Sequence, residues 1–351
     1  MTRKRVAFGV GVLITVLLVT PFMGTLPAAI GQAEPAPEFD FTHYEENPIL
    51  SPGAEGEWDA GYVFASRVSF HNDTFHMFYI GGEQPIELRP WHVGYASSTD
   101  GFNWTKSELN PVLQVDSALA PYGVSAVVPI ITTVDATPVF PLGAGREWDR
   151  DALSVDSIVE TDAGYALYFT ATGGIFFGIG RVISTDGITW QKYDDPTTEK
   201  AMFAVSDPVF WFSGFSDAWN QLLVSFPSVL PTENGWEMFY FGVPFAQMGD
   251  EGALGGLAWS VLHTSHFPID PFTPNYGVGY AVSEDGVTWM EVGDGPVLTA
   301  PATFTGDDPG WMPWAPNVIV VDDTYYVYYS MWDFENELNF NIGVATGTAG
   351  R

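Results

Sequence analysis

Tryptophans interleaved with acidic residues are the part of this sequence whose chemistry is easiest to name. The flat face of an indole ring stacks on the C–H groups of a sugar, while carboxylates accept hydrogen bonds from sugar hydroxyls or transfer protons. Many of these tryptophans could instead wedge neighbouring sheets together. The tryptophans that we select as candidate substrate-binding residues are Trp91, Trp211, Trp314 and Trp332.

Other kinds of catalytic chemistry find little support in the sequence. The chain has no cysteine, which excludes disulfides, thiolate metal sites and a cysteine nucleophile. His263 and His266 are weak evidence for zinc, and no serine-hydrolase elbow, phosphate loop or dinucleotide fingerprint is present. Acidic pairs such as Asp307-Asp308 could bind calcium, although none has the spacing of a known calcium loop. We therefore expect no bound metal or cofactor, with calcium left open.

A seven-residue pattern that occurs three times organises the chain. Each copy carries Ser, Asp-Gly and Trp at fixed spacing and follows a short strand of small residues. Asp-Gly supplies the backbone of a tight hairpin turn, and the Trp on the returning strand would fill the sheet. Three copies at long, similar intervals indicate a repeat architecture. The copies are residues 98–104, 184–190 and 283–289.

Two further strands precede each copy, so the repeating unit is a four-stranded antiparallel meander. A fourth unit near the C-terminus ends after its third strand. Residues 39–50 could supply its missing outer strand and close a ring, which removes exposed sheet edges. The sequence therefore predicts an all-β protein, a β-propeller whose ring is closed by an N-terminal strand. Four blades are legible, and a fifth could lie within residues 109–145.

The connections of such a meander divide between two faces of the ring. The turns on one face are short, whereas the loops on the other face, before the inner strands and between the second and third strands, are long. Long loops on a rigid scaffold are where binding and catalysis concentrate. We therefore expect the site on the long-loop face, to which Asp59, Glu83 and Asp308 belong.

The repeat resembles the five-bladed propeller glycosidases, the superfamily that contains glycoside hydrolase families 32, 43, 62, 68 and 130. Asn-Pro-Ile-Leu at residues 47–50 and the Gly-Tyr-Ala-x-Ser-x-Asp-Gly turns are similar to family 130. Residues 314–318 and 325–330 are similar to a family 43 blade. The resemblance covers residues 39–351 and implies five blades around a central pocket, with essential carboxylates near the start of the inner strands.

Asp156 matches the essential aspartate that these families carry in the second blade. It lies between Val155 and Ile158, where an unpaired carboxylate would be unfavourable, so a functional or hydrogen-bonded role is favoured. The alternative is an aspartate that only bonds the backbone at the start of a strand. We take Asp156 as the first candidate catalytic residue.

The other carboxylate positions depart from the family pattern. Ser66-Arg67 replaces the aspartate of the first blade, Pro227-Ser228 replaces the glutamate of the third, and Asn317 stands in the fourth. A partner for Asp156 would then come from a loop, because the acid and base of a glycosidase lie about 5–10 Å apart. Arg67 could orient a carboxylate, bind an anionic sugar or phosphate, or balance Asp156. The candidate partners are Asp59, Glu83, Asp308, Asp151, Asp217 and Glu335.

The N-terminus predicts export. Arg3, Lys4 and Arg5 precede an apolar run from Val6 to Met23, so residues 1–33 are a signal peptide or an N-terminal membrane anchor. Residues 34–38 form a linker, and residues 39–351 form the propeller domain. Positive charge before the apolar run keeps that end inside, which places the body outside the cytoplasm, secreted or on the outer face of the membrane.

The charge of the chain limits its partners. With 43 acidic against 12 basic residues the net charge is −31, so nucleic acid is a poor partner and any membrane contact would be through the N-terminal anchor. Carbohydrate is the expected ligand. The sequence thus predicts an exported glycoside hydrolase-like protein that acts on glycosidic bonds through a carboxylate-based site at the propeller centre, with Arg67 and Asn317 also contacting substrate. The alternative is a non-catalytic propeller that binds glycans or another surface.

Overall fold

Short polar turns between long alternating strands dictate the fold, and they produce four antiparallel meanders, here called blades 1 to 4 in chain order. The computed structural model describes residues 37–83, 92–114, 133–134, 137–138, 140–173, 176–198, 202–212, 219–220, 223–243, 277–300, 311–333 and 340–350. All of them belong to one compact unit, Pro37–Arg351. The described residues contain strands and turns and no helix, so the all-β β-propeller with four blades is confirmed.

The N-terminal part of the described chain and blade 1 contain the first six strands. They are β1 (Glu38–Phe39), β2 (Thr42–His43), β3 (Tyr62–His71), β4 (Thr74–Gly82), β5 (His92–Ser98) and β6 (Thr105–Lys106). Blade 1 has the order β3-β4-β5-β6. A separate pair follows, β7 (Thr133–Val134) and β8 (Thr137–Pro138).

Blades 2 and 3 each add one strand to the four of the meander. Blade 2 comprises β9 (Ala152–Thr161), β10 (Gly164–Gly173), β11 (Phe176–Ser184), β12 (Gln191–Lys192) and β13 (Pro208–Trp211), which pairs with β11. Blade 3 comprises β14 (Leu223–Thr232), β15 (Gly235–Val243), β16 (Gly277–Ser283), β17 (Met290–Glu291) and β18 (Leu298–Thr299), which pairs with β16.

Blade 4 combines strands from both ends of the chain. It comprises β19 (Trp311–Val321), β20 (Thr324–Asp333) and β21 (Phe340–Gly347), and β2 pairs with β21 as its outermost strand. β22 (Ala349–Gly350) pairs with β1. The pairing of β2 supplies the outer strand that the fourth repeat lacks. Closure of a ring by this strand and the presence of a fifth blade remain predictions.

The Ser-x-Asp-Gly-x-x-Trp turns have the same geometry in blades 1, 2 and 3. In the second copy, Ile188 N–H and Thr189 N–H both donate to Asp186 Oδ1, at 2.8 and 2.7 Å. These backbone donors, Thr189 first, lower the pKa of Asp186 to about 2. The glycine that follows has positive φ in all three copies, 81° at Gly101, 73° at Gly187 and 70° at Gly286, which glycine adopts without strain.

The repeated tryptophans pack between blades as well as within them. Trp104 meets Tyr328 of blade 4 edge-to-face with ring centroids 5.9 Å apart, and Trp289 meets Tyr168 of blade 2 in the same way at 5.9 Å. Each tyrosine also donates its hydroxyl to the neighbouring turn, Tyr168 to Gly286 O at 2.8 Å. The repeat residues therefore hold adjacent blades together.

The leader and several loops lie outside the described residues. These include residues 1–36 with the predicted signal or anchor, the strand-like stretch 125–132, and most of the long loops between second and third strands. Within the part of the chain that the structure describes, no helix is long and apolar enough to cross a membrane.

Candidate active site

The inner strands of the four blades, β3, β9, β14 and β19, are each interrupted near the middle by an irregularity in register. β14 contacts both β9 and β19, and β19 contacts β3, so these strands line the centre. Bulges bend a strand and redirect its side chains, and they are common beside active sites. Phe226 and Ala315, which lie in two of the bulges, have φ of 53° and 50°, an unfavourable conformation for residues other than glycine. The interruptions fall between Phe64 and Arg67, at Asp156, between Ser225 and Ser228, and between Trp314 and Asn317.

The residue that follows each bulge bonds the next blade in three of four cases. In these, a side-chain oxygen accepts a backbone N–H of the neighbouring inner strand. Arg67 occupies the same position in blade 1, and its side chain is directed to blade 2 instead. The three bonds are Val68 N to Asn317 Oδ1 (2.7 Å), Val229 N to Ser157 Oγ (3.0 Å) and Val318 N to Ser228 Oγ (2.8 Å).

Asp156 is enclosed at the bulge of β9 and is hydrogen bonded on both oxygens. Thr170 donates to Oδ2 through its backbone N–H at 2.7 Å and its hydroxyl at 2.6 Å. Ser154 donates its hydroxyl to Oδ1 at 2.9 Å. Arg67 Nη2 lies 3.8 Å from Oδ1, which makes an ion pair between blades 1 and 2. Asp156 is therefore held in one orientation, with Arg67 as its cationic partner among the described residues.

The electrostatics of this pair are governed by burial. Burial raises the pKa of Asp156 to about 6, although Arg67 and the hydrogen bonds from Thr170 and Ser154 oppose the rise. Burial also lowers the pKa of the Arg67 guanidinium, which the charge of Asp156 partly offsets. A carboxyl group with such a pKa changes protonation close to neutral pH, as acid–base groups of enzymes do.

Polar atoms around the pair keep unused hydrogen-bonding capacity. Arg67 Nη1 donates to Ser66 O at 3.0 Å, but its Nε is buried without a partner among the described residues. The hydroxyls of Ser66 and Ser225, both on inner strands, are likewise buried and unpartnered within the described part. Buried polar atoms are nearly always satisfied by protein, water or ligand. The Arg67 side chain is 11% exposed and that of Asp156 is 0%, so Arg67 is the member of the pair that reaches the surface.

A cluster of aromatic rings from blades 1, 3 and 4 surrounds Trp314, which lies at the bulge of β19. The half-buried ring of Trp314 stacks on Phe64 of blade 1, with centroids 6.0 Å apart. Phe226 of blade 3 meets Trp314 edge-to-face at 4.8 Å, and Phe340 contacts it at 5.9 Å. Trp314 thus packs between blades and still keeps part of its surface open.

Asp59 makes its contacts within blade 1. Its carboxylate accepts hydrogen bonds from Lys106 Nζ at 2.7 Å and from Tyr79 OH at 3.1 Å, and the residue is 1% exposed. Asp149 pairs in the same way with Lys192 in blade 2. These contacts support a structural role for Asp59, and its catalytic role stays a prediction.

The remaining candidates are dispersed. Glu83 is exposed directly after β4. Trp211 lies on β13, where its ring contacts Trp148, Phe203 and Phe212 of blade 2. Asn317 lies at the centre with its Oδ1 bonded to blade 1. Trp332 is on β20, but its side chain, like Trp91 and Asp308 as a whole, is outside the described residues.

Ser154 and Thr170 bond Asp156 and are not among the residues singled out from the sequence. They face each other across β9 and β10. Ser154 precedes Asp156 by two residues and so shares its face of the strand, which was a usable signal; Thr170 required the register. Among the described residues no group of three or more histidine, aspartate or glutamate side chains is placed to hold a metal ion.

Comparison with known proteins gives carbohydrate-active relatives. No protein-family model matches the chain. Beta-1,2-mannobiose phosphorylase of Thermoanaerobacter sp. (strain X514) is 32% identical over 122 residues, which cover 31% of this chain and only 39% of that protein. The 1,2-beta-oligomannan phosphorylase of the same organism is 23% identical over 314 residues, 81% of this chain and 91% of the relative.

Solved structures share the fold at low identity. A glycoside hydrolase structure superposes with a TM-score of 0.53 at 14% identity, covering 85% of this chain and 90% of the other. A second, from the GH130 family of mannoside phosphorylases that contains glycoside hydrolases acting on beta-1,2 mannosidic linkages in Candida mannan, has a TM-score of 0.50 at 13% identity. It covers 90% of this chain and 95% of the other. At these identities the likeness concerns the fold alone.

Proposed function

Because the chain is a divergent relative of the propeller glycosidases, we propose that it is a carbohydrate-active enzyme that cleaves glycosidic bonds of mannosides at the centre of the propeller. The observation that carries the proposal is the ion pair of Arg67 and Asp156 at the bulged inner strands. The two mannoside phosphorylases suggest the substrate class, and phosphate as well as water is a candidate acceptor of the glycosyl unit.

In this proposal Asp156 is the essential carboxylate and Arg67 is the group through which it acts. Asp156 is fully enclosed, whereas Arg67 is partly exposed and its Nε–H has no partner in the described part of the chain. Arg67 would therefore donate hydrogen bonds to an oxygen of the sugar or of phosphate, held in place by Asp156. The acid that protonates the departing glycosidic oxygen would come from a loop, with Glu83 and Asp308 as candidates. Trp314 would stack on a sugar ring.

A second candidate function is glycan binding without catalysis. It is favoured by one observation: the hydrogen bonds of Ser154 and Thr170 already occupy the carboxylate of Asp156, and no solvent reaches it. A propeller of this kind would keep Trp314 and Arg67 as a binding surface. Export, to the cell surface or beyond, is part of both proposals and rests on the apolar run after Arg5.

The test is product formation from beta-1,2-mannobiose with and without inorganic phosphate. Mannose alone indicates hydrolysis, and mannose with mannose 1-phosphate indicates phosphorolysis. We expect Asp156→Asn to lower kcat/KM by about 10²-fold or more, the usual contribution of an acid–base group or of its support. Asp162→Asn, an exposed position in the turn after β9, is the matched control and should keep full activity.

The outcomes separate the two functions. Full activity of a folded Asp156→Asn variant would remove Asp156 from the mechanism. If the wild type gives no product but binds mannan oligosaccharides, and Trp314→Ala loses that binding, the glycan-binding function is supported instead. Near-ultraviolet circular dichroism of each variant shows whether the aromatic packing around Trp314 survives.

A further inference from the structure

A groove on the outer part of blade 2 is separate from the central pair. Its volume is about 240 Å³, and it is formed where the side chains of β11 and the segment after β12 meet. Tyr193 N–H donates to Arg181 O at 2.9 Å, which continues the pairing of the two segments. The lining residues are Arg181, Ile183, Gln191, Lys192, Tyr193 and Asp194. We propose that this groove is a second carbohydrate site, which takes one neutral sugar ring.

The repeat provides an internal comparison for Arg181. The register of the second and third strands places Arg181 opposite Tyr168, just as Tyr95 faces Phe78 in blade 1 and Tyr280 faces Phe239 in blade 3. Two other blades therefore carry tyrosine at this position. Only blade 2 of these three has a cation there.

Tyr95 and Tyr280 each bond a side chain on the neighbouring strand that blade 2 does not provide, whereas the Arg181 side chain bonds Tyr168. Tyr95 OH bonds His76 Nδ1 at 2.6 Å, and Tyr280 OH donates to Glu237 Oε1 at 3.0 Å. The register puts Ala166 at the position of His76 and Glu237 in blade 2. Alanine offers no side-chain partner in the place where the other blades have one.

Arg181 consequently retains a donor for a ligand. Its Nε is buried and has no hydrogen-bond partner among the described residues. The guanidinium carbon lies 6.0 Å from the centroid of the Tyr168 ring, within the range of a cation–π contact. A buried donor of this kind, in a cavity, is explained by water or by a ligand oxygen.

The remaining lining fits a sugar ring. Tyr193 is half-buried and supplies an aromatic face, while the exposed Gln191 and Asp194 supply an amide and a carboxylate. These are the groups that stack on C–H faces and bond hydroxyls. The volume is below the range of about 300–1,000 Å³ that holds a drug-sized ligand, so a single ring is the size it can take.

The surrounding charge argues against an anion. Burial raises the pKa of Tyr193, and the carboxylates of Asp195, Asp207 and Asp285 raise it further. The charge of Lys192 is already matched by Asp149. Arg181 opposes these three carboxylates at Tyr193, so we expect an anionic ligand to bind less well than a neutral polyol. This inference goes beyond the proposed function, and it holds even if the centre is not catalytic.

Fluorine NMR of the protein labelled with 3-fluorotyrosine reads this groove directly. The Tyr193 signal is identified by its loss in Tyr193→Phe. We expect methyl mannopyranoside or methyl glucopyranoside to shift that signal saturably, with a Kd of about 1 mM, and glucuronate to bind more weakly. Arg181→Ala and Gln191→Ala should each weaken binding about tenfold.

Met290→Ala is the matched control, because Met290 is exposed and occupies in blade 3 the place of Gln191 in blade 2. It should leave the titration unchanged. Gln191→Ala changes an exposed side chain, so it tests the groove even if Arg181→Ala fails to fold. The proposal is overturned if neither neutral glycoside shifts the Tyr193 signal, if Gln191→Ala binds as the wild type does, or if glucuronate binds more tightly. Mannobiose turnover, measured separately, reports on the centre alone.

Discussion

At the scale of single residues, blade 1 differs from the other three blades because it has Arg67 where they have serine or asparagine. Ser157, Ser228 and Asn317 each use the equivalent position to accept a backbone N–H of the next blade. Arg67 has no acceptor and pairs with Asp156 instead. A buried ion pair adds little net stability compared with apolar packing, because both charges lose their hydration. Its presence at the bulged centre therefore agrees with the functional role proposed for it.

Asp156→Asn should change the pH dependence of stability. The folded pKa of about 6 lies above the value near 4 of an unfolded chain, so the native state binds more protons between these values. The contribution of this carboxyl to the free energy of unfolding is then largest below about pH 4 and falls as the pH rises to 6. Asparagine does not titrate, so the stability of the wild type relative to the variant should fall by up to about 3 kcal/mol across this window.

Urea unfolding at intervals from pH 4 to pH 7 measures this difference. Subtracting the variant removes the titration of the other carboxylates, which the two proteins share. Asp162→Asn, in the exposed turn after β9, repeats the subtraction without touching the buried pair. A wild-type minus Asp156→Asn difference that stays constant over the whole range would show that the Asp156 pKa is not raised.

At the scale of strands and turns, blades 1, 2 and 3 share a polar clamp, a pair of side chains that joins the segment before the inner strand to the outer strand. Blade 1 uses Asp59 with Lys106, and blade 2 uses Asp149 with Lys192. In blade 3 the donor and the carboxylate change places, because Asn220 Nδ2 donates to Glu291 Oε2 of the outer strand at 3.0 Å. The sequence carried the signal, since Trp-Asp before the inner strand and Trp-x-Lys after the turn occur in blades 1 and 2.

Rebuilding the clamp of blade 3 tests its role. Asn220→Asp would place a second carboxylate against Glu291, whose pKa burial already raises, and should lower the free energy of unfolding by about 3 kcal/mol. Adding Glu291→Lys recreates the pair of blades 1 and 2 and should restore most of the loss. Urea unfolding of the two single variants and the double variant at pH 7 gives the coupling energy.

Asn234→Asp, in the exposed turn between β14 and β15, adds the same charge at a position outside the clamp. It should change stability little. If the double variant proves no more stable than Asn220→Asp alone, the interchangeability of the two clamps is refuted.

At the scale of the whole molecule, charge is the dominant feature. The net charge of −31 places many carboxylates on one compact unit, and their mutual repulsion opposes folding. Salt shortens the range of this repulsion, from about 10 Å at 0.1 M to about 3 Å at 1 M.

We therefore expect sodium chloride to stabilise the protein. Raising it from about 0.1 to about 1 M should increase the unfolding midpoint at pH 7 by about 3 °C, as a gain of about 2 kcal/mol would in a domain of this size. Differential scanning calorimetry checks the shift. The same increase in salt at pH 4, where many carboxylates are protonated, should have a smaller effect. Equal effects at the two pH values would assign the stabilisation to something other than charge screening.

The sequence by itself determined the repeat, the class of fold and the chemistry of the turns. These are local properties: Asp-Gly turns need only their own residues, and alternation along a strand decides which side chains are buried. The four legible blades were confirmed, and the glycine of each repeat, Gly101, Gly187 and Gly286, has positive φ. Asp156 is buried and hydrogen bonded, while its part in catalysis stays a prediction.

Only the tertiary structure decided which distant residues meet. Arg67 and Asp156 lie on different blades, and Thr170 reaches Asp156 through the register of β9 with β10. Asp59, chosen for its loop, is committed to Lys106, which belongs to the far strand of its own blade. The groove at Arg181 was not predicted. It depends on the strand register, which places Ala166, whose side chain forms no hydrogen bond, where two other blades carry a polar side chain. Charge pairing and cavity shape are set by packing between strands far apart in sequence, and a local pattern does not encode those distances.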